Sequence, residues 1–289
     1  MPNKVLVSLI IPYYNARVSL SKLLSSIPEY NWLEVIVVND HSDNIEDIIA
    51  EHKRSTTFMQ EKGRRWAGAA RNLGLKKSTG QFILFADADD YFLEGAFEKV
   101  YSYCHKSNDL VFFTPTSKTE SGDSSLRHLS YKQLILDFLK ADKNTIKYRF
   151  HVPWSKLISR ELIIDNNISF DEVIASNDVN FSLKCSLYAK KIAATTDEIY
   201  CVIESNKSLT KQLSEEVIDS RFEALSRYND FLLSKGDNNL AAMSGHLFSA
   251  YKFGFYKFLS RYFYCRYKGY KIFYSWSHII SIIKRRKLV

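Results

Sequence analysis

Three carboxylates that follow an apolar, strand-like run are the most informative feature of the chain. Asp87, Asp89 and Asp90 come directly after Phe82–Phe85. Carboxylates this close repel one another, and each resists ionisation unless a cation or hydrogen bonds stabilise the group. Hard oxygen ligands suit Mg²⁺ or Mn²⁺, with water and substrate phosphates completing the coordination. The pattern therefore predicts a divalent-metal site, and the alternative is a loop in which Asp89 or Asp90 caps a helix beginning near Glu94.

Polar residues also follow two other strand-like runs. Asn15 comes after the apolar segment Val5–Ile11, and Asp40 comes after Val35–Val38. Because ligands of parallel α/β sheets bind beyond the carboxyl ends of the strands, we expect one crevice to collect Asn15, Asp40 and Asp87. For Asp40 the alternative is a turn or a cap of the following helix.

The elements that must position these residues alternate between strand and helix. Continuous apolar, β-branched runs are typical of strands buried on both faces. The predicted strands are Val5–Ile11, Val35–Val38, Phe82–Phe85 and Leu110–Phe113, and the predicted helices are Ser19–Ile27, Ile45–Lys53, Trp66–Lys76 and Glu94–His105. This alternation predicts a mostly parallel, Rossmann-like α/β sheet flanked by helices.

The pattern changes after about residue 114. We expect, in order, a polar loop over Ser117–Ser125, helices over Tyr131–Lys140, Arg160–Asp165 and Asn177–Leu187, and short strands over Lys191–Ala194 and Ile199–Ile203. From about Glu215 the spacing of apolar residues is helical and forms a stripe along one side. The sequence thus predicts a second lobe and a helical C-terminal extension.

Composition excludes several classes of protein. A chain of 289 residues that is 46% hydrophobic can bury a full core. No apolar run approaches the roughly 20 residues that span a bilayer, and the first residues lack the shape of a signal peptide. The four cysteines have no spacing typical of zinc or of a redox couple, so we expect reduced thiols in a cytoplasmic protein. No Gly-x-Gly-x-x-Gly follows the first strand, which argues against a dehydrogenase.

The net charge of +8 is concentrated at the C-terminal end. No acidic residue follows Asp237, whereas ten Lys and Arg residues do, which leaves the first 237 residues at −2. Aromatic residues interleave with these cations between Phe248 and Trp276, a pattern that favours membrane interfaces. We expect peripheral contact with an anionic membrane. The alternative is a helical bundle that packs the rings inside, and self-association of these helices would give a homo-oligomer. No nucleic-acid-binding module is present, so we expect no nucleic-acid partner.

Five segments in order resemble glycosyltransferase family 2, whose members have the GT-A fold. The segments are Ser8–Asn15 (SLIIPYYN), Glu34–Ser42 (EVIVVNDHS), Ala69–Gly74 (AARNLG), Asp87–Asp90 (DADD) and Asn177–Phe181 (NDVNF). The resemblance covers roughly residues 5–210 and extends to an acceptor-side stretch that begins at Trp154. It implies a GT-A-like sheet with a C-terminal helical extension.

The resemblance also implies roles for the matched residues in donor binding. It implies that Asp89 is a metal ligand and that Asp87 contacts the nucleotide or the metal. It implies that Asp40 accepts the imide N–H of uracil and that Pro12 and Tyr13 flank the base. Asn15 and Arg71 would contact the nucleotide. For Tyr13 the alternative is core packing, and for Arg71 it is a surface salt bridge.

Asp178 matches the family's catalytic base. Direct displacement at the sugar needs a group that takes the proton of the acceptor hydroxyl, and Asp178 lies at the start of a predicted helix. The alternative is that Asp178 only caps that helix. One base without an enzyme nucleophile implies inversion, so an α-linked donor gives a β linkage. Sugar or acceptor contacts are expected from Asp90, Trp154, Lys156 and Asn177, and Asn177 stands where many relatives carry Glu.

The resemblance as a whole implies an inverting glycosyltransferase that depends on Mn²⁺ or Mg²⁺. It would move a hexose or N-acetylhexosamine from a UDP-sugar to a hydroxyl of a glycan or lipid-linked glycan acceptor, in lipopolysaccharide, O-antigen or capsule synthesis at the cytoplasmic face of the inner membrane. The implied division is a nucleotide-sugar-binding half over 1–115, an acceptor-binding half over 116–212 and the helical region over 213–289. The rival interpretations are a nucleotidyltransferase acting on sugar phosphates, which would release pyrophosphate, and a non-catalytic sugar-binding or scaffold protein.

Overall fold

The computed structural model of the chain describes residues 5–60, 63, 65–140, 144–205 and 213–273. The chain divides into two units, Met1–Lys211 and Gln212–Val289. The predicted halves 1–115 and 116–212 both contribute strands to one sheet of the first unit, so the division between them stays a prediction about function. Within the described residues, no helix combines the length and the apolar character that crossing a bilayer requires.

Eight strands form the sheet of the first unit. They are β1 (Val7–Tyr13), β2 (Leu33–Asn39), β3 (Ser55–Met59), β4 (Phe82–Phe85), β5 (Tyr91–Phe92), β6 (Leu110–Thr119), β7 (Lys156–Ser159) and β8 (Ile192–Glu204). Their spatial order is β3-β2-β1-β4-β7-β6-β8-β5. The pairs β1–β2, β1–β4, β2–β3 and β6–β8 are parallel, whereas β4–β7, β6–β7 and β5–β8 are antiparallel. The predicted mostly parallel α/β sheet is confirmed.

Helices flank this sheet and make up the regular structure described in the second unit. The first unit contains α1 (Arg17–Ser25), α2 (Glu46–Ala50), α3 (Trp66–Lys77), α4 (Ala96–Cys104), α5 (Leu129–Leu139), α6 (Thr145–Arg149), α7 (Arg160–Asp165) and α8 (Val179–Tyr188). The second unit contains α9 (Glu215–Ser234), α10 (Ser244–Tyr251) and α11 (Phe255–Tyr267). The predicted helical C-terminal extension is therefore present.

Apolar packing fixes the strand that leads to Asp87–Asp90, which we name the acidic segment. Phe85, the last residue of β4, is fully buried. Its ring lies 5.1 Å from that of Phe170 and 5.6 Å from that of Phe181, and the Phe170 and Phe181 rings stack at 3.8 Å. Aromatic pairs of this kind contribute packing energy beyond the area that they bury. The end of β4 is thus held against α8 and against the segment that precedes it.

Helix α3 packs unusually closely because two glycines face its neighbours. A Cβ added at Gly74 would lie 2.4 Å from Cγ2 of Ile10 in β1, and one added at Gly68 would lie 2.1 Å from the carbonyl oxygen of Asp171. Only a residue without a side chain allows these approaches. Gly74 belongs to the AARNLG segment. The close packing of α3 determines which residues its side chains can contact.

The structure also differs from the sequence-based expectations. The strands β3, β5 and β7 were not predicted, because β3 is a half-exposed edge strand, β5 has two residues and β7 begins with a lysine. The two runs expected over 191–203 form the single strand β8. Helix α4 begins after Gly95, which has φ +72°, with no side-chain cap, so neither Asp89 nor Asp90 caps it.

Candidate active site

The carboxyl ends of β1, β2 and β4 meet at one edge of the sheet because these three strands are parallel neighbours. The Asp40 N–H donates to the carbonyl of Tyr13 at 2.9 Å, and the Ala86 N–H donates to the carbonyl of Ile10 at 3.2 Å. These bonds continue the pairing beyond β2 and β4. The segments that carry Asp40 and Asp87 therefore leave the sheet side by side, as the predicted crevice requires.

Asp40 is 3% exposed at this edge. Its Oδ1 accepts the backbone N–H of Arg65, the residue before α3, at 2.8 Å. The turn after β2 is formed instead by Asn39, whose Oδ1 accepts the N–H of Ser42 at 2.8 Å. Helix α2 begins after Ile45 without a side-chain cap. Asp40 thus neither forms the turn nor caps α2, and in the described part of the chain no protein group donates a hydrogen bond to its Oδ2.

The residues expected to flank a base differ in accessibility. Tyr13 is 1% exposed, and its hydroxyl donates to Oδ1 of Asp43 at 2.6 Å. Burial and the Asp43 carboxylate together raise the pKa of Tyr13 to about 12. Pro12 is half-buried, and Asn15 is exposed with φ +47°. Tyr13 is therefore part of the core, whereas Pro12 and Asn15 keep surface that a ligand can contact.

The acidic segment carries charge that the protein only partly offsets. Asp89 is exposed at the rim, yet the protein around it removes part of its water. This desolvation and the charge of Asp87 raise the pKa of Asp89 to about 6, although the guanidinium groups of Arg127 and Arg71 oppose the rise. A cation bound beside Asp89 would relieve this repulsion.

Asp90 is engaged by the protein. It is 3% exposed, its Oδ2 accepts the Tyr200 hydroxyl at 2.9 Å, and its Oδ1 accepts the N–H of Ile203 at 2.7 Å. Burial, reinforced by the charges of Asp89 and Asp87, raises the pKa of Asp90 well above its ordinary value. These contacts give Asp90 the role of fixing the acidic segment to β8. The sugar contact stays a prediction, and the geometry offers a sugar hydroxyl little access to this carboxyl group.

Arg71 joins two distant parts of the chain. It projects from α3, is 5% exposed and donates through Nη2 to Oδ1 of Asp87 at 2.5 Å and through Nη1 to Oδ1 of Asn177 at 2.8 Å. Its guanidinium carbon lies 5.3 Å from the centre of the Phe170 ring. A planar guanidinium with several fixed donors suits such bridging. This ion pair is buried on the arginine side, so the alternative of a surface salt bridge does not apply, and the acidic segment and Asn177 are fixed next to each other.

Asp178 follows Asn177 and is the residue before α8. It is half-buried, and its side chain makes no capping hydrogen bond, so the capping alternative is wrong. Desolvation raises the pKa of Asp178 above its ordinary value, while the Arg71 guanidinium opposes the rise. The charge of Asp87 acts on the same carboxyl group. Arg71 contacts both Asp87 and Asn177, the residue before Asp178, so Asp178 lies near the acidic segment.

Trp154 and Lys156 are buried, and the ring of Trp154 stacks on that of Tyr200 at 5.9 Å. Trp154 is 1% exposed and Lys156 is 0% exposed. The Lys156 ammonium donates to the carbonyl of Phe150 at 2.6 Å, and burial lowers its pKa to about 7, opposed by the charges of Cys185 and Asp178. The acceptor contacts of these two side chains stay a prediction, and their burial leaves an acceptor little access to either of them.

Sequence reasoning missed Tyr200 and Arg127. The Tyr200 hydroxyl accepts the N–H of Asp87 at 2.8 Å while it donates to Asp90, so one side chain of β8 holds both ends of the acidic segment. Arg127 lies in the segment before α5, where its charge acts on Asp89. Tyr200 occurs within an apolar strand run and Arg127 within a polar loop, and neither context distinguishes such residues from ordinary ones.

The acidic segment fits a divalent cation that shares its ligands with a substrate. Among the described residues, no group of three or more His, Cys, Asp and Glu side chains could hold a metal ion by itself. Asp89 and the second oxygen of Asp87 provide carboxylate oxygens at the rim, which is the donor type that Mg²⁺ and Mn²⁺ prefer when water and phosphates complete the shell. The chemistry of the site is therefore compatible with the predicted metal.

Comparison with protein families and curated proteins points to one group of enzymes. A model described as glycosyl transferase family 2 matches residues 8–166, which is more than half of the chain. The chain is 28% identical over 219 residues to the poly(ribitol-phosphate) beta-N-acetylglucosaminyltransferase TarP of Staphylococcus aureus, covering 72% of this chain and 65% of TarP. It is 26% identical over 249 residues to EpsJ, an uncharacterized glycosyltransferase of Bacillus subtilis, covering 79% of this chain and 71% of EpsJ. The chain thus spans less than two thirds of the length of TarP.

Solved structures are similar in fold. TarS 1–349 of S. aureus in complex with UDP-GlcNAc superposes with a TM-score of 0.65 at 22% identity, covering 90% of this chain and 73% of that one. The mannosyltransferase PcManGT from Pyrobaculum calidifontis, in complex with GDP-Man and Mn²⁺, gives a TM-score of 0.55 at 16% identity, covering 77% and 63%. These similarities confirm the predicted GT-A-like fold.

Proposed function

Because the chain belongs to glycosyl transferase family 2, we propose that it transfers a hexose or N-acetylhexosamine from a UDP-sugar to a hydroxyl group of a glycan or lipid-linked glycan. The TarS structure in complex with UDP-GlcNAc supports a uridine donor. Asp40 supports it as well, because no described protein group donates to its Oδ2, and a carboxylate oxygen can accept the imide N–H of uracil, a donor that cytosine lacks. Pro12 and Asn15 supply the accessible surface beside this position.

The observation that carries the proposal is the pair of hydrogen bonds made by Arg71. These bonds hold Asp87 and Asn177 at the two terminal nitrogens of one guanidinium, and Asp89 and Asp178 are near neighbours of those two residues in sequence. A donor diphosphate at Asp89 and an acceptor hydroxyl at Asp178 would therefore share one cleft. Positioning two reactants in this way converts a bimolecular step into an effectively unimolecular one.

The proposed reaction is a single displacement. The acceptor oxygen forms a bond to the anomeric carbon, the bond from that carbon to the diphosphate oxygen breaks, UDP leaves with the electron pair, and Asp178 takes the hydroxyl proton. A divalent cation held by Asp89 and Asp87 would act as a Lewis acid on the departing diphosphate. The charges of Arg71 and Arg127 both act on Asp89 and would oppose the negative charge of a diphosphate bound there. The anomeric configuration inverts, so an α-linked donor gives a β-linked product.

Substitution of Asp178 tests the role of the base. Asp178→Asn keeps the size of the side chain but cannot accept the proton, so we expect the transfer rate to fall by about 10²–10⁴-fold. UDP affinity, measured by calorimetry, should stay within about twofold because the donor site is intact. Asp165→Asn on the surface of α7 is the matched control and should leave both quantities unchanged. A variant at position 178 that retains its turnover would show that the base lies elsewhere.

A panel of nucleotide sugars tests the reaction class. The protein is incubated with UDP-hexoses and UDP-N-acetylhexosamines, with and without Mn²⁺, and released UDP and pyrophosphate are measured separately. Release of UDP is expected. Pyrophosphate would indicate a nucleotidyltransferase, and no release from any donor, with or without acceptor, would favour a binding or scaffold protein. The anomeric coupling constant of the product checks the predicted β linkage.

We also propose that the acceptor belongs to a cell-surface polymer and that the enzyme works at the cytoplasmic face of the inner membrane. The name of TarP, a poly(ribitol-phosphate) transferase, supports a polymeric acceptor. Lipopolysaccharide, O-antigen and capsule remain the polymer classes that we propose. Self-association through the C-terminal helices stays a prediction.

A further inference from the structure

The second unit exposes aromatic side chains along one face of α11. Tyr256, Phe263 and Tyr267 are 87%, 63% and 89% exposed. Together with the exposed Ser260 they recur at intervals of four, three and four residues, which places them on one side of a helix. We name Tyr256, Phe263 and Tyr267 the aromatic face. Large rings on one helix face, outside any core, indicate an interaction surface.

Neighbouring rings extend this surface. Phe248 and Tyr251 of α10 and Phe255 at the start of α11 are also more than half exposed. The rings of Tyr251 and Phe255 lie 6.4 Å apart, and a row of rings continues from Phe255 through Phe258 and Tyr262 to Phe263 at separations of 5.6–6.3 Å. Exposed aromatic side chains therefore occur on both α10 and α11, and the partly buried rings of Phe258 and Tyr262 lie between Phe255 and Phe263 in this row.

The cations of α11 fall into two groups that the sequence alone does not separate. Lys257 and Arg261 form ion pairs with Asp219 of α9, and Nζ of Lys268 lies 2.9 Å from Oδ1 of Asp230. These three side chains occupy the side of α11 that faces α9. They are neutralised within the second unit and offer little charge to a partner.

The remaining cations lie on α11 or just beyond the ends of α10 and α11. Lys252, Arg266 and Lys271 are exposed, and within residues 213–273 they form no ion pair. No acidic residue follows Asp237 in the sequence, so nothing on α10 or α11 offsets them. Exposed rings together with uncompensated cations match an anionic bilayer surface, where rings enter the headgroup region and cations remain beside the phosphates.

We propose that the aromatic face docks on a bilayer containing anionic phospholipid, with α11 lying in the plane of the headgroups. Tyr256, Phe263 and Tyr267 enter the interface, and Lys252, Arg266 and Lys271 pair with lipid phosphates. The inference deepens the membrane placement proposed above and rests on that placement, not on the chemistry of sugar transfer.

Flotation of the full chain with vesicles tests the lipid partner. The vesicles contain phosphatidylcholine alone or a 7:3 mixture of phosphatidylcholine and phosphatidylglycerol, at low and high salt. Binding is expected only to the mixed vesicles, and it should weaken at high salt because exposed charges are screened. The triple variant Tyr256→Ser, Phe263→Ser, Tyr267→Ser should bind them at least tenfold more weakly. Its control, Val18→Ser, Leu139→Ser, Ile164→Ser, removes exposed apolar side chains of the first unit and should bind normally.

A second pair of variants tests the role of charge. Lys252→Gln, Arg266→Gln, Lys271→Gln should lose about tenfold or more in affinity for the mixed vesicles. Lys76→Gln, Lys190→Gln, Lys191→Gln changes the net charge equally in the first unit and should bind like the wild type. Circular dichroism and thermal unfolding verify that every variant is folded.

Several outcomes would overturn the proposal. These are a wild-type protein that does not float at low salt, equal binding to both kinds of vesicle, and an aromatic-face variant that binds normally. A wild-type dimer that the aromatic-face variant converts to a monomer, without any flotation, would assign the face to a second copy of the chain. Binding of a soluble anionic polymer without flotation would assign it to a polyanion. UDP release by the aromatic-face variant separates the two proposals, because it should persist in solution even when flotation is lost.

Discussion

At the scale of single residues, the site depends on side chains that hold the reactive groups in place. Arg71 and Tyr200 are both buried, and each bonds to the segment that contains Asp87. Removing one partner of such a buried hydrogen bond lowers the free energy of unfolding, because the other polar group is left without a partner. Their removal should therefore affect stability and ligand binding together.

Replacement of Tyr200 by phenylalanine tests this coupling. The change removes the acceptor of the Asp87 N–H and one donor to Asp90, so we expect the free energy of unfolding to fall by about 1–3 kcal/mol. UDP should also bind more weakly, because the acidic segment loses its attachment to β8. Urea unfolding and calorimetry measure the two effects. The control is Tyr103→Phe, because the hydroxyl of Tyr103 lies 3.5 Å from Oδ2 of Asp197. Equal losses of stability and of UDP affinity in both variants would contradict the role assigned to Tyr200.

Asp89 gives a prediction about pH. Its pKa in the folded protein is about 6, above the ordinary value of 3.8, so the ionised form is less favourable in the folded state than in the unfolded state. As pH rises from about 3.8 through about 6, ionisation of Asp89 therefore lowers the free energy of unfolding. The full loss is present above this range. Asp89→Asn should raise the melting temperature of the metal-free protein at pH 8 and leave it nearly unchanged at pH 3.5. A gain of equal size at both pH values would contradict this explanation.

At the scale of elements, α3 determines whether the two sides of the cleft meet. A Cβ at position 68 would clash with the carbonyl of Asp171, so Gly68→Ala should push α3 away and move Arg71 from Asn177. We expect a stability loss of about 1–3 kcal/mol and a fall in transfer rate of about tenfold or more. Gly245→Ala in α10, where a Cβ meets nothing within 4 Å, is the matched control. It should be neutral or slightly stabilising.

The sequence predicts strongly patterned elements well and weakly patterned ones poorly. Helix α7 has the predicted bounds, and β4 matches Phe82–Phe85, because apolar runs or helical spacing dominate there. Strand β7 begins with Lys156, a residue that a pattern assigns to the surface, and only the tertiary structure provides the Phe150 carbonyl that accepts its hydrogen bond. The acidic motif likewise predicts roles for Asp87 and Asp89 from sequence, whereas the burial of Asp90 depends on Tyr200 and Ile203, more than 100 residues away along the chain.

At the scale of the whole molecule, the four cysteines are free thiols. Burial raises the pKa of Cys104 and Cys185 to about 12 and that of Cys265 to about 11, and Cys201 is fully buried. The thiolate is the reactive form, so these side chains should be inert at pH 8. An Ellman assay should detect almost no thiol in the native protein and four per chain in urea without reductant. Fewer than four in urea would reveal a disulfide.

The hydroxyl of Tyr200 also constrains how this chain can change over evolutionary time. It contacts Asp90 from 110 residues away, and the two groups satisfy each other where water has little access. A change to phenylalanine at position 200 removes one of the two hydrogen bonds that Asp90 accepts and the acceptor of the Asp87 N–H, so its cost depends on which side chain position 90 carries. The effect of either mutation therefore depends on its genetic background, and among descendants of this sequence the two positions should change as a pair.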